Sequence, residues 1–130
     1  NINQTLIGPS AQSSWDGLSN SNAIVAQAGH TNSAAALCLN STNGGQSDWY
    51  LPSIDELERL YNNRLEVNAT LRGISGAVEL KKLDVSGISY WSSTESGDAS
   101  YAWGFYFVDG SASSSYSKIF PSYVRAVRAF

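Results

Sequence analysis

The stretch Asp48-Trp49-Tyr50-Leu51-Pro52-Ser53-Ile54-Asp55-Glu56-Leu57-Glu58-Arg59-Leu60-Tyr61 constrains this chain more than any other. It specifies an extended run, a corner and a helix, in that order. Pro52 biases Leu51 away from the helical region and has no N–H for a strand ladder, so the extended run stops there. Ser53 with Glu56 three residues on is a capping box: the hydroxyl satisfies an orphan N–H of the first turn, and the carboxylate reaches back to the cap. Asp55, Glu56 and Glu58 lie near the positive end of the helix dipole. Ile54, Leu57, Leu60 and Tyr61 recur at helical spacing, which predicts a helix over 53–62 with one buried face.

The rest of the chain is expected to pack around that corner. Residues 1–20 carry little pattern and break at Gly8-Pro9, although Ile2 to Ile7 could pair as a terminal strand; Trp15 is expected to anchor a core or its rim. Ala23 to Ala28 give a helical signal that Gly29-His30 interrupts, and Thr31, Asn32 or Ser33 can cap a second one through Ala34, Ala35, Leu37, Cys38 and Leu39. Cys38 falls on the apolar side, as a buried small hydrophobe. The segment between the central helix and Tyr90 has no clean period and is expected to be a long excursion with one or two short elements. Strand signals follow: Ile88 to Thr94, Tyr101 to Val108, a turn at Asp109-Gly110, a polar return from Ser111 to Phe120, and a last strand from Tyr123 to Phe130.

Length and charge bound the function. At 130 residues the chain is one domain that can bury a core without a disulfide, and its single cysteine allows none within the chain. It contains no methionine, which suggests a piece of a longer or processed chain. No internal apolar run is long enough for direct membrane insertion. The formal charge of −3 argues against a nucleic-acid partner. Its distribution is uneven, because from Gly110 onward there are Lys118, Arg125 and Arg128 and no acid. Low charge with abundant Ser, Gly and aromatic residues suits an extracellular module.

Catalytic and metal chemistry find few residues to use. His30 is the only histidine, sits after a glycine in a polar loop, and has no nucleophile elbow to serve. One His and one Cys cannot complete a zinc site. Calcium needs only oxygen ligands, but Asp98 and Asp109 lie at turns where local hydrogen bonding accounts for them. No enzyme, no metal site and no cofactor are expected.

Three segments carry a resemblance. Gly44-Gly45-Gln46-Ser47-Asp48-Trp49-Tyr50-Leu51-Pro52-Ser53 followed by Glu56-Leu57 resembles the central signature of the bacterial domain family typified by the C-terminal domain of the Legionella collagen-like protein. Tyr90-Trp91-Ser92-Ser93-Thr94-Glu95 and Val124-Arg125-Ala126-Val127-Arg128-Ala129-Phe130 resemble its second and C-terminal signatures, in the right order. The resemblance covers roughly residues 15–130, read as a single domain, with 1–14 as the junction to a preceding stalk. It implies an α+β, C-type-lectin-like fold: two helices packed on a twisted, mainly antiparallel sheet, with long loops. Formylglycine-generating relatives share that fold, but their chemistry needs more cysteines than Cys38. Sugar-binding C-type lectins coordinate calcium through Glu-Pro-Asn or Gln-Pro-Asp and Trp-Asn-Asp, none of which occurs here.

The resemblance implies the ligand-binding head of a bacterial adhesin, at the cell surface or secreted. That head would be a homotrimer at the tip of a collagen-like stalk, binding sulfated glycosaminoglycans for host attachment and biofilm formation. Sulfate groups are held by Arg and Lys clusters through charge-assisted hydrogen bonds, and a closed trimer would repeat the patch. The candidates are Arg72, Lys81, Lys82, Lys118, Arg125 and Arg128. Arg125 and Arg128 better suit a structural role, in which the closing strand's arginines pair with acids, and Lys81 and Lys82 suit a solvated face equally well. An alternative is a protein-binding module, as in retroelement-diversified relatives. It would use a Tyr- and Ser-rich C-terminal surface centred on Tyr116.

Overall fold

The central corner forms as its residues dictate and ties the two halves of the molecule together. The structure, a computed structural model, describes residues 4–80 and 89–129. These residues build an α+β domain: α1 (Gly17–Val25), α2 (Ala34–Leu39), α3 (Ile54–Asn62) and α4 (Arg64–Arg72), then β1 (Tyr90–Glu95), β2 (Tyr101–Tyr106) and β3 (Ser111–Ser117). The strands form an open antiparallel sheet in the order β1-β2-β3. At the head of α3 the capping box is complete. Ser53 Oγ accepts from the Glu56 N–H at 3.4 Å, and Glu56 Oε2 accepts from the Ser53 N–H at 2.8 Å.

Two helices were expected among these residues and four are present. The helical signal of Ala23 to Ala28 overlaps only the last turn of α1, and α4 lies in the segment expected to be an excursion with one or two short elements. In α1, Asn20 and Ser21 are fully buried, and tertiary partners satisfy them. Asn20 exchanges hydrogen bonds with the backbone of Ser13, while the Ser21 hydroxyl bridges both main-chain groups of Leu51 at 3.1 Å. A polar buried face gives no apolar periodicity. In α4 Val67 packs on the core, and Leu65 is left exposed.

The core divides into two clusters, with the neighbouring β1 residues Tyr90 and Trp91 turned to different ones. One cluster joins Ile54 and Leu57 of α3 to Leu80, Tyr90, Phe105 and Phe107, with Tyr61, Val67 and Trp103 packed around it. Leu57 and Phe105 are essentially inaccessible, and burying such side chains stabilises the fold by roughly 1.5–3 kcal/mol each. The β2–β3 turn closes as its Asp-Gly signal predicts: the Gly110 N–H donates to Tyr106 O at 2.9 Å, with Gly110 at φ 78°. The second cluster joins Ala35, Cys38 and Leu51 to Ile24, Trp91, Val124 and Ala126.

The expected last strand over Tyr123 to Phe130 does not form. Tyr123 bridges β1 in a parallel sense, and Val127 bridges Tyr50 antiparallel. The segment changes partner within four residues, so no continuous ladder can build. Residues 4–7 form no strand either. Trp15, expected in a core, is 73% exposed. The loop that carries it is instead pinned through its neighbours, by Ser13 and Ser14 to α1 and α3.

Burial raises three titrations at high pH. It pushes the Cys38 thiol from 9.0 to about 12. Burial also takes the Tyr50 hydroxyl from 10.0 to about 12, with the Glu56 carboxylate adding to the effect, and burial takes Tyr116 from 10.0 to about 12. Each group ionises earlier when unfolded, so its contribution is fully present below about pH 9 and is lost as pH rises towards 12. Thermal midpoints are therefore expected to be flat near neutrality and to fall steadily above about pH 9. A flat profile through that window would contradict the burial of these groups. Near neutral pH, Cys38 should react with a thiol reagent only as fast as the protein opens.

Candidate ligand-binding surface

The basic residues are divided among three places. Arg72, at the end of α4, pairs with Glu79 through two contacts of 3.0 and 3.1 Å, both side chains being largely exposed. Arg125 reaches the same segment from the C-terminal run, with its Nη1 donating to Val78 O at 2.7 Å. The fold thus brings Arg72 and Arg125, far apart in sequence, onto residues 78–79. Lys81 and Lys82 follow that segment directly in sequence and lie outside the described residues. An exposed Arg–Glu pair is worth at most about 1 kcal/mol, so an incoming anion can displace Glu79 at small cost.

Arg128 lies apart. Its guanidinium meets Asp48 through both oxygens, Nε to Oδ1 at 2.8 Å and Nη2 to Oδ2 at 2.9 Å. Hydrogen bonding from Arg128 holds the exposed Asp48 carboxyl below its usual range. This pair joins the C-terminal segment to the start of the central motif, next to the Tyr50–Val127 bridge.

Lys118 is committed to the interior. Its side chain is 14% exposed, and its Nζ donates to Glu95 Oε1 at 2.7 Å and to Thr5 O at 3.3 Å. Glu95, at the end of β1, also accepts the backbone N–H of Ile7 and Gly8, at distances of 2.8 to 3.0 Å. From Ser92 to Glu95, β1 is a buried polar latch. The Ser92 hydroxyl donates to Trp103 O, and Thr94 Oγ1 donates to Ser13 O while accepting from the Ile54 N–H. Beside the Glu95–Lys118 pair is a cleft of about 110 Å³, lined among others by Ile24, Gln27, Ala34 and Trp91. The Glu95–Lys118 pair was not legible in the sequence; the one signal was the polar run Ser92-Ser93-Thr94-Glu95 closing a strand signal.

Tyr116 is not a projecting anchor. Its ring lies on Gly104 of β2, where an added Cβ would come within 2.8 Å of Cδ2, and it packs between Trp91 and Tyr106 with centroids 5.7 and 5.4 Å away. The exposed apolar groups near the end of β3 are Ile119 and Phe120. Among the described residues no group of three or more His, Cys, Asp and Glu is placed to hold a metal ion, and no helix is long and apolar enough to cross a membrane.

Comparison with known proteins agrees with the three sequence signatures. The sequence model of the Lcl C-terminal domain matches residues 5–128, which includes most of the segment expected to be a junction. Neither the curated proteins nor the solved structures contain a match. With nearly the whole length matched, this chain belongs to the Lcl C-terminal domain family.

Proposed function

We propose that this domain is the non-catalytic, ligand-binding head of an Lcl-type bacterial surface protein, with a C-type-lectin-like arrangement. In this reading it binds sulfated glycosaminoglycans or similar anionic polysaccharides outside the cell, promoting host attachment and biofilm formation. The observation that supports it best is the convergence of Arg72 and Arg125 on residues 78–79, next to Lys81-Lys82 in sequence. Arg128 and Lys118 contribute less, because one is held bidentately by Asp48 and the other is sequestered by Glu95. Three or four cations make a weak site, and assembly as a homotrimer on a collagen-like stalk would multiply it by avidity.

The test is heparin binding titrated from about 50 mM to about 500 mM salt, by analogy with counterion release from other polyanions. Affinity is expected to fall steeply with salt. Arg72→Ala with Arg125→Ala should lower the slope by about one for each contact removed. Retained binding in that double variant and in Lys81→Ala/Lys82→Ala would sink the proposal. A second reading is favoured by the exposed Ile119 and Phe120 at the end of the serine-rich β3: a protein partner bound there would show little salt dependence.

A further inference from the structure

We propose that Asn43-Gly44 is a self-modification site: the backbone attacks the Asn43 side chain, ammonia leaves, and the neutral loop before the central motif becomes acidic. The change needs neither a ligand nor an enzyme, and it stands whether or not the domain binds polysaccharide.

The reaction joins two groups that are adjacent in the chain. The Gly44 nitrogen attacks Asn43 Cγ, the Cγ–Nδ2 bond breaks, and the side-chain nitrogen departs as ammonia with the Gly44 amide proton. Water then opens the five-membered imide. Cleavage at Cγ leaves aspartate, while cleavage at the main-chain carbonyl carbon leaves isoaspartate, with the chain rerouted through Cγ. No oxidant or reductant takes part. Because the amide proton must be lost, the rate rises with pH.

Both reacting groups are uncommitted in the fold. Asn43 and Gly44 are exposed, and among the described residues neither the Asn43 carboxamide nor the Gly44 N–H has a hydrogen-bond partner. Gly44 lies at φ 66° and Gly45 at φ 73°, and a Cβ built on either would meet nothing within 4 Å. Two main-chain bonds close the turn, Gly45 N–H to Thr42 O at 3.0 Å and Gln46 N–H to Asn43 O at 3.3 Å. Consecutive glycines in open space let the pair reach the ring-closing geometry without displacing a core side chain.

The other places where glycine follows Asn or Asp are locked. Asp16 caps α1 and accepts the Ser19 N–H at 2.9 Å, and Gly17 is buried. Asp109 accepts the Ser111 N–H at 3.0 Å, while the Gly110 N–H donates to Tyr106 O at 2.9 Å. Hydrogen bonds from Ser19 and Ser111 also hold these carboxyls below their usual range, so they stay ionised and resist attack near neutrality.

The product matters because Asn43 O is a structural acceptor. It takes the Trp49 Nε1–H at 3.0 Å. In isoaspartate that carbonyl leaves the main chain, so Trp49 of the central motif loses its fixed acceptor. The loop also gains a negative charge in a chain already at −3.

The experiment incubates the folded 130-residue chain at mildly alkaline pH, with a parallel sample in guanidinium chloride, and separates aspartyl from isoaspartyl peptides before mass spectrometry. In the folded chain Asn43 is expected to convert at least about tenfold faster than any other Asn, and within about tenfold of its own rate in denaturant. Asp16 and Asp109 should isomerise more slowly folded than denatured. The Trp49 indole N–H resonance should shift in proportion to the isoaspartate formed. Asn43→Gln, whose longer side chain would have to close a six-membered ring, should remove both changes and leave the thermal midpoint as in the parent. A folded rate more than about tenfold below the denatured one, or another Asn reacting first, overturns the proposal. Isoaspartate at position 43 that leaves the Trp49 resonance unmoved overturns it as well.

Discussion

Replacing Glu95 with alanine is expected to cost about 3–5 kcal/mol, the range found when one member of a buried ion pair is removed. The carboxylate is 3% exposed and satisfies the Lys118 ammonium and the backbone N–H groups of Ile7 and Gly8. Alanine leaves a buried cation and two amides with nothing to bond, and native domains have only about 5–15 kcal/mol in total. In urea, where small proteins lose about 1–3 kcal/mol per molar, the midpoint should drop by about 2 M. Glu95→Leu combined with Lys118→Met should lose far less than the sum of the two single changes, since no charge is then stranded. A loss under about 1 kcal/mol for Glu95→Ala would mean that water reaches the pair. The residues expected to loosen first are the N-terminal ones, which this carboxylate holds onto the end of β1.

Gly17→Ala is the second large effect. Such a change inside a helix usually gains up to about 1 kcal/mol from propensity. Here the sign is reversed. A Cβ on Gly17 would run into the Glu56 carboxylate and would stand 2.6 Å from Ser53 N and 2.7 Å from Leu51 O, two of the three being backbone atoms that cannot swing aside. Forcing that contact costs about 1–3 kcal/mol as overpacking. Displacing Glu56 from the capping box adds up to about another 1–2 kcal/mol. A net loss of about 2–4 kcal/mol lowers the thermal midpoint by roughly 10 °C. Gly97→Ala is the control, because a Cβ there meets nothing within 4 Å, and it should stay within about 0.5 kcal/mol of the parent. If the two variants melt together, the tight seating of α1 on the corner is wrong.

Local rules were legible wherever the deciding partner lay a few residues away. The corner at Pro52, the capping box, the Ser33 cap of α2 and the Asp109-Gly110 turn are contacts across two to four positions, so side-chain chemistry alone specifies them. The β2–β3 hairpin follows from the strand signal of Tyr101 to Val108 and the polar return after that turn. Missed elements had their reasons at long range. In α1 the buried face is Asn20 and Ser21, tolerable only because Ser13 and Leu51 supply the hydrogen bonds. The C-terminal segment has strand composition, yet it splits its pairing between Tyr50 and β1.

The candidate cations divide in the same way. Sequence by itself established the α+β class, the order of its signatures and the shortage of acid–base and metal-ligating residues. It also marked an excess of positive charge after Gly110. Only the tertiary structure decided which of those charges could meet a ligand. Arg72 and Arg125 converge on residues 78–79, Arg128 is clamped by Asp48, and Lys118 turns inward to Glu95. The physical reason is that a charge's availability depends on the partner within about 4 Å of it and on its distance from water. For these residues the partners lie 7 to 113 positions away along the chain, where no local pattern in the sequence can show them.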